Sequence, residues 1–113
     1  VSAAAETRLW LAQRATAGLL AVFVAVHLVT VAYAVRGGLT AAEILGRLQG
    51  HAGWFAFYAL FALAAAAHGA IGLRVIAREW LGWHGRSLEI AAVAAGIALA
   101  FLGLKATWAV TAT

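Results

Sequence analysis

The sequence predicts an all-α membrane protein with three transmembrane helices running up, down and up, and a short interfacial helix between the first and second. Three observations predict it. The 113 residues are 65% hydrophobic and 11% charged, whereas a soluble domain runs about 45–50% apolar and 25% charged. Too few polar side chains exist to cover a soluble surface. Charge-free runs of 21 residues at 15–35 and 26 residues at 48–73 both meet the roughly 20 residues that a spanning helix needs. Proline is absent, which removes the strongest helix breaker, and the alanine-rich runs lack the alternation of a membrane barrel.

Taken in order, helix one starts near Thr7 and stops before "RGG" at 36–38, where paired glycines suit a helix C-terminus. Its apolar run is too long for a signal-peptide core. "TAAE" at 40–43 reads as a capping box and opens a short helix through Leu48 along the outer interface. Helix two opens with the aromatic belt "WFAFY" at 54–58 and runs to about Trp80. "LGWHGRS" at 81–87 is the second loop, with Ser87 as the expected cap of helix three. The charge-free part of helix three, 90–104, has only 15 residues, so Lys105 must snorkel for it to span. The spans fall at about 8–35, 52–79 and 88–111 of a single membrane-anchor domain. Ala92, Gly96, Ala100 and Gly103 form a small-residue seam, a packing face toward another helix of this chain or of a partner.

Net charge is +4. The basic residues flank the apolar spans, so a lipid bilayer and not nucleic acid accounts for them. Arg8, Arg14, Arg74, Arg78 and Arg86 fall on one side, and Arg36, Arg47 and Lys105 on the other. Five against three places the N-terminus on the cytoplasmic side. Absent cysteine excludes disulfides and iron–sulfur ligation by this chain. No Asp or Glu lies in the charge-free interior of a span, which fits small transporters poorly.

Of four histidines, His51 and His84 sit at helix ends and read as solvated interfacial side chains. His27 and His68 lie inside apolar runs, where an unpartnered polar group costs several kcal/mol. Each is either a neutral side chain bonded to a neighbouring helix or a cofactor ligand. Thr30, one turn away, is the expected local partner of His27. Around His68 the positions three and four away are Ala64, Ala65, Ile71 and Gly72, a flat shelf on which a planar macrocycle could lie. A b-type haem on His68 could turn its propionates toward Arg74 and Arg78, which read otherwise as interface anchors. Counted from the cytoplasmic ends, His27 is about 22 Å deep and His68 about 15 Å. That offset argues against one iron shared by both.

"AQRATAG" at 12–18 and "HGAIGLR" at 68–74 together resemble the membrane-anchor cytochrome b subunit of succinate dehydrogenases and quinol:fumarate reductases. In that family helix one begins with His or Gln, then Arg, a spacer, and Ser or Thr; here these are Gln13, Arg14, Ala15 and Thr16. Helix two carries the haem-ligand His, three residues, Gly, an aliphatic residue and Arg; here these are His68, Gly72, Leu73 and Arg74. The resemblance implies a haem b, one or two, with iron on His68, and electron transfer to membrane quinone. It implies quinone near Arg14, Thr16, Gln13 and Trp10, the last standing where some members have a serine. A cation and a hydroxyl there could hydrogen-bond a quinone carbonyl and stabilise charge developing on it. It implies a flavoprotein subunit, an iron–sulfur subunit and a second membrane-anchor subunit as partners, in a bacterial cytoplasmic membrane. His27 is similar to the helix-one histidine of two-haem members, and Val75 replaces a second histidine found in others. The competing readings are a bacteriochlorophyll-binding protein, since Ala64 and His68 also suit a chlorin, and a cofactor-free scaffold.

Overall fold

The computed structural model describes residues 2–112. They form α1 (Ala3–Gly37), α2 (Ala41–Leu48), α3 (Ala52–Leu81) and α4 (Arg86–Thr111). Three of these, α1, α3 and α4, are long and apolar enough to cross a membrane. At about 1.5 Å per residue they measure roughly 52, 45 and 39 Å, all beyond a hydrocarbon core of about 30 Å. The third helix is therefore long enough, although its charge-free run is short.

Local chemistry explains the ends. α1 starts before Thr7 because the Ser2 hydroxyl accepts from the Ala5 amide at 3.1 Å and Glu6 sits in the first turn, where a negative charge favours the helix. The expected capping box is present: the Glu43 amide donates to Thr40 Oγ1 at 3.2 Å and the Thr40 amide to Glu43 Oε1 at 3.4 Å. The Thr40 hydroxyl also donates to that carboxylate at 2.6 Å and is the main cause holding Glu43 below the usual carboxylate range. Gly38 closes α1 at φ 121°, and Arg47 Nη2 donates to its carbonyl at 2.7 Å, tying α2 back onto the end of α1. Gly82 ends α3 in the left-handed region at φ 65°. Ser87 does not cap α4. α4 starts at Arg86, which puts Ser87 inside the first turn; the N-cap is Gly85, without a side-chain bond, and the Ser87 hydroxyl accepts from Trp83 Nε1 at 2.8 Å.

α3 packs against both other long helices, and most extensively against α4. The α3–α4 pair is antiparallel: Gly96 meets Ala70, Gly103 meets Ala62 and Phe55 meets Trp108. A Cβ on Gly103 would stand 2.8 Å from that of Ala62, and one on Gly96 would stand 3.1 Å from that of Ala70. The small-residue seam is thus occupied within this chain, where it lets two backbones approach. Buried Leu88, Thr107 and Thr111 extend it. Both threonine hydroxyls donate to carbonyls of their own helix, Gly103 at 2.9 Å and Thr107 at 2.6 Å, so neither leaves a polar group unpaired in the interface. α1 buries no residue and exposes Leu19, Val22, Leu28 and Val29 among others. Such an apolar surface suits lipid or a partner helix.

Candidate functional site

At one end of the bundle, ion pairs join all three long helices. Arg74, 5% exposed, donates from Nη2 to Glu6 on α1 at 2.7 Å and from Nε to Glu89 on α4 at 2.6 Å. Arg78 Nη1 reaches the same Glu6 oxygen at 3.0 Å. Two cations and two carboxylates balance, which is the condition for a buried charge to be tolerated. An open cleft of about 510 Å³ lies beside them, lined also by His84 and Arg86. Both arginines expected beside haem propionates are engaged by carboxylates. Arg74 is already engaged by two carboxylates, whose charge disfavours a further anion beside it. Arg78 is half-buried, with one Nη on Glu6, and keeps donors to offer. Sequence position signals Glu6 and Glu89 only coarsely: in a three-span chain both fall on the same side as Arg74 and Arg78.

Further into the bundle, Thr16 Oγ1 and His68 Nδ1 lie 3.1 Å apart. The same hydroxyl contacts the carbonyls of Ala12 at 2.7 Å and Gln13 at 3.1 Å. His68 is half-buried. Its Nε2 has no hydrogen-bond partner among the described residues, yet it is not sealed in: Gln13 Oε1 alone is both enclosed and unpartnered there. The expected shelf is partly covered by the chain itself. Ala64 is buried and Gly72 lies against Gln13, while Ala65 remains exposed.

The four residues expected around quinone split into two groups. Gln13 and Thr16 turn toward α3, meeting Gly72 and His68. Trp10 and Arg14, one turn apart, stack on the exposed flank of α1, with the Arg14 guanidinium carbon 5.2 Å from the indole centroid.

His27 lies eleven residues, about 16 Å, along α1 from Thr16. Its distance from the His68 level is about twice that expected, because α1 and α3 pair Thr16 with His68 and His27 with Tyr58. The two histidines do not face a common point. His27 Nδ1 lies 3.3 Å from the Tyr58 hydroxyl, and its ring packs edge-on against Tyr58 and Phe61 at 5.9 and 5.8 Å. Thr30, the expected partner, donates instead to the His27 carbonyl at 2.7 Å. An apolar groove of about 730 Å³ borders this pair, lined by Tyr33, Ile44, Leu48 and Trp54 among others. Among the described residues no three His, Cys, Asp or Glu side chains converge as a metal-ion site.

Three membrane-length helices, a paired charge cluster at one end and an oriented histidine between helices define a membrane-anchor bundle. The chain belongs to the succinate dehydrogenase/fumarate reductase transmembrane subunit family, whose model matches residues 1–104. Neither the curated proteins nor the solved structures compared with the chain give a match. Membership and the three apolar helices make it an integral membrane protein, a membrane subunit of the succinate dehydrogenase/fumarate reductase kind.

Proposed function

We propose that this subunit binds haem b and quinone and passes electrons from a soluble iron–sulfur subunit to the membrane quinone pool. The observation that carries the reading is His68. It is a half-buried imidazole in a membrane-length helix, held at Nδ1 by Thr16 and, among the described residues, without a hydrogen-bond partner at Nε2. That is the donor expected of an axial ligand whose other nitrogen is fixed. One imidazole from this chain would suffice as its share of the site, because the macrocycle would bring nitrogen donors of its own. Bound haem supplies one-electron storage between the soluble subunit and quinone. Arg78 offers donors to a propionate, and Arg74 holds the helices that frame the site.

Quinone is assigned to the α1 flank at Trp10 and Arg14, with Gln13 on the adjoining face. The guanidinium and the indole N–H are donors toward a quinone carbonyl, and the fixed cation stabilises negative charge as it develops there. His27 is assigned a structural role in the aromatic end. The N-terminus lies on the cytoplasmic side, the helices run up, down and up, and α2 lies along the outer interface. The flavoprotein and iron–sulfur subunits dock on the charged end, and a second anchor subunit covers part of α1 and supplies the ligand opposite His68.

The test is a reduced-minus-oxidised spectrum with a pyridine haemochrome assay on the purified complex. Haem b is expected in the wild type and absent from His68→Ala. A wild-type complex with no Soret band would overturn the haem assignment. Arg14→Ala is expected to slow quinone reduction roughly 100-fold with assembly intact; an unchanged rate removes quinone from that flank.

A further inference from the structure

We infer that Thr16 fixes the tautomer of His68, and so is the positioning residue that presents Nε2 as a lone pair to iron. The inference rests on the haem reading above and moves Thr16 from the quinone group to the histidine.

The argument is a count of protons. A threonine hydroxyl has one proton and two lone pairs. Thr16 Oγ1 has three neighbours: the Ala12 carbonyl at 2.7 Å, the Gln13 carbonyl at 3.1 Å and His68 Nδ1 at 3.1 Å. Both carbonyl oxygens can only accept. At 2.7 Å from one of them the hydroxyl must donate, which is the usual back-bond of a threonine in a helix. Its proton is then committed, and it meets Nδ1 with a lone pair. Nδ1 must therefore carry the proton, which leaves Nε2 as the bare nitrogen of the neutral ring. Free neutral histidine prefers the opposite tautomer, so the acceptor on α1 has a definite job. The bond also crosses between two helices, α1 and α3, and so fixes where the ring stands as well as which nitrogen is bare. An acceptor at Nδ1 raises the basicity of the other nitrogen, which favours ferric over ferrous iron.

The test compares wild type, His68→Ala, Thr16→Val, Thr16→Ala and Thr16→Ser in the assembled complex. The readouts are haem retention, the low-spin electron paramagnetic resonance signal and the haem midpoint potential. Thr16→Val keeps the shape and removes the acceptor. It is expected to hold haem at least 10-fold more weakly, with shifted g values and a raised potential. Thr16→Ala should match it, and Thr16→Ser should restore the wild-type values. Unchanged signal, potential and retention in Thr16→Val, in a complex that loses haem with His68→Ala, overturns this inference and leaves the haem reading standing. A wild-type complex without haem overturns both. Failure of both hydroxyl-free variants to assemble, with Thr16→Ser intact, counts against it by making the role structural.

Discussion

The two histidines inside the bundle look alike in sequence, and their partners constrain them differently. His68 faces a threonine hydroxyl whose proton is committed to the Ala12 carbonyl. His27 faces the Tyr58 hydroxyl, which has no other hydrogen-bond partner among the described residues. That hydroxyl can donate to His27 Nδ1 or accept from it, so the contact does not set the His27 tautomer. Two aromatic rings then flank the imidazole. The lesson is that an intramembrane histidine is read from the proton balance of its partner, and not from its own depth. The surroundings differ in the same way. The His68 end is closed by balanced ion pairs, and the His27 end by aromatic packing and a capped surface helix.

The largest contrast is expected in cofactor content. His68→Ala should abolish the Soret band of the complex, while His27→Ala and Tyr58→Phe keep it. Loss of haem from the His27 variant would break the comparison. Next comes stability. Arg74→Leu leaves Glu6 and Glu89 facing each other without their shared cation, which should cost about 3–5 kcal/mol by analogy with other broken buried pairs. That range is an upper value here, because both carboxylates are about one-third exposed and water screens them. Tyr58→Phe at the other end should cost about 1 kcal/mol, the net worth of one neutral hydrogen bond. Thermal unfolding of the detergent-solubilised complex would rank the two, and equal losses would erase the difference between the ends.

A smaller effect is expected along the seam shared by both ends. Gly103→Ala puts a methyl 2.8 Å from the Ala62 Cβ, so the helices must part, at about 1–3 kcal/mol. Gly96→Ala, with 3.1 Å available, should cost less in the same unfolding measurement. The smallest effect is a pH dependence confined to α2. The Thr40 hydroxyl bond, followed by the Thr40 amide, lowers the Glu43 pKa. The contribution of the capping box is thus complete above the ordinary carboxylate pKa and fades as pH falls through the lowered one. Protection of the Ile44 and Leu45 amides, taken relative to intrinsic exchange at each pH, should fall on that acidification, and Glu43→Gln should remove the dependence.

Much of this was legible beforehand. The long charge-free runs, the capping box at Thr40, the glycine at the end of α1 and the seam of Gly96 and Gly103 follow from composition and local spacing, which act within a few residues. The importance of His68 was legible for the same reason, since an imidazole in an apolar run must have a partner. The positions of Trp10, Gln13, Arg14 and Thr16 were legible, but their separation onto two faces of α1 depends on which face meets α3. The start of α1 was misjudged because Ser2 and Glu6 lie outside the apolar run that marked the helix.

The sequence by itself determined the number and length of the spans, because hydropathy and helix rise are properties of the chain alone. It also determined that His27 and His68 each need a partner. Only the tertiary structure decided who those partners are, Tyr58 for His27 and Thr16 for His68, and that Glu6 and Glu89 engage Arg74. The reason is register. Sliding α1 along α3 by a single turn would preserve every apolar run and every cap, yet would exchange the hydroxyl facing each imidazole. Contacts between helices, such as Phe23 with Phe61 and Thr16 with His68, fix that register, and no local rule encodes it.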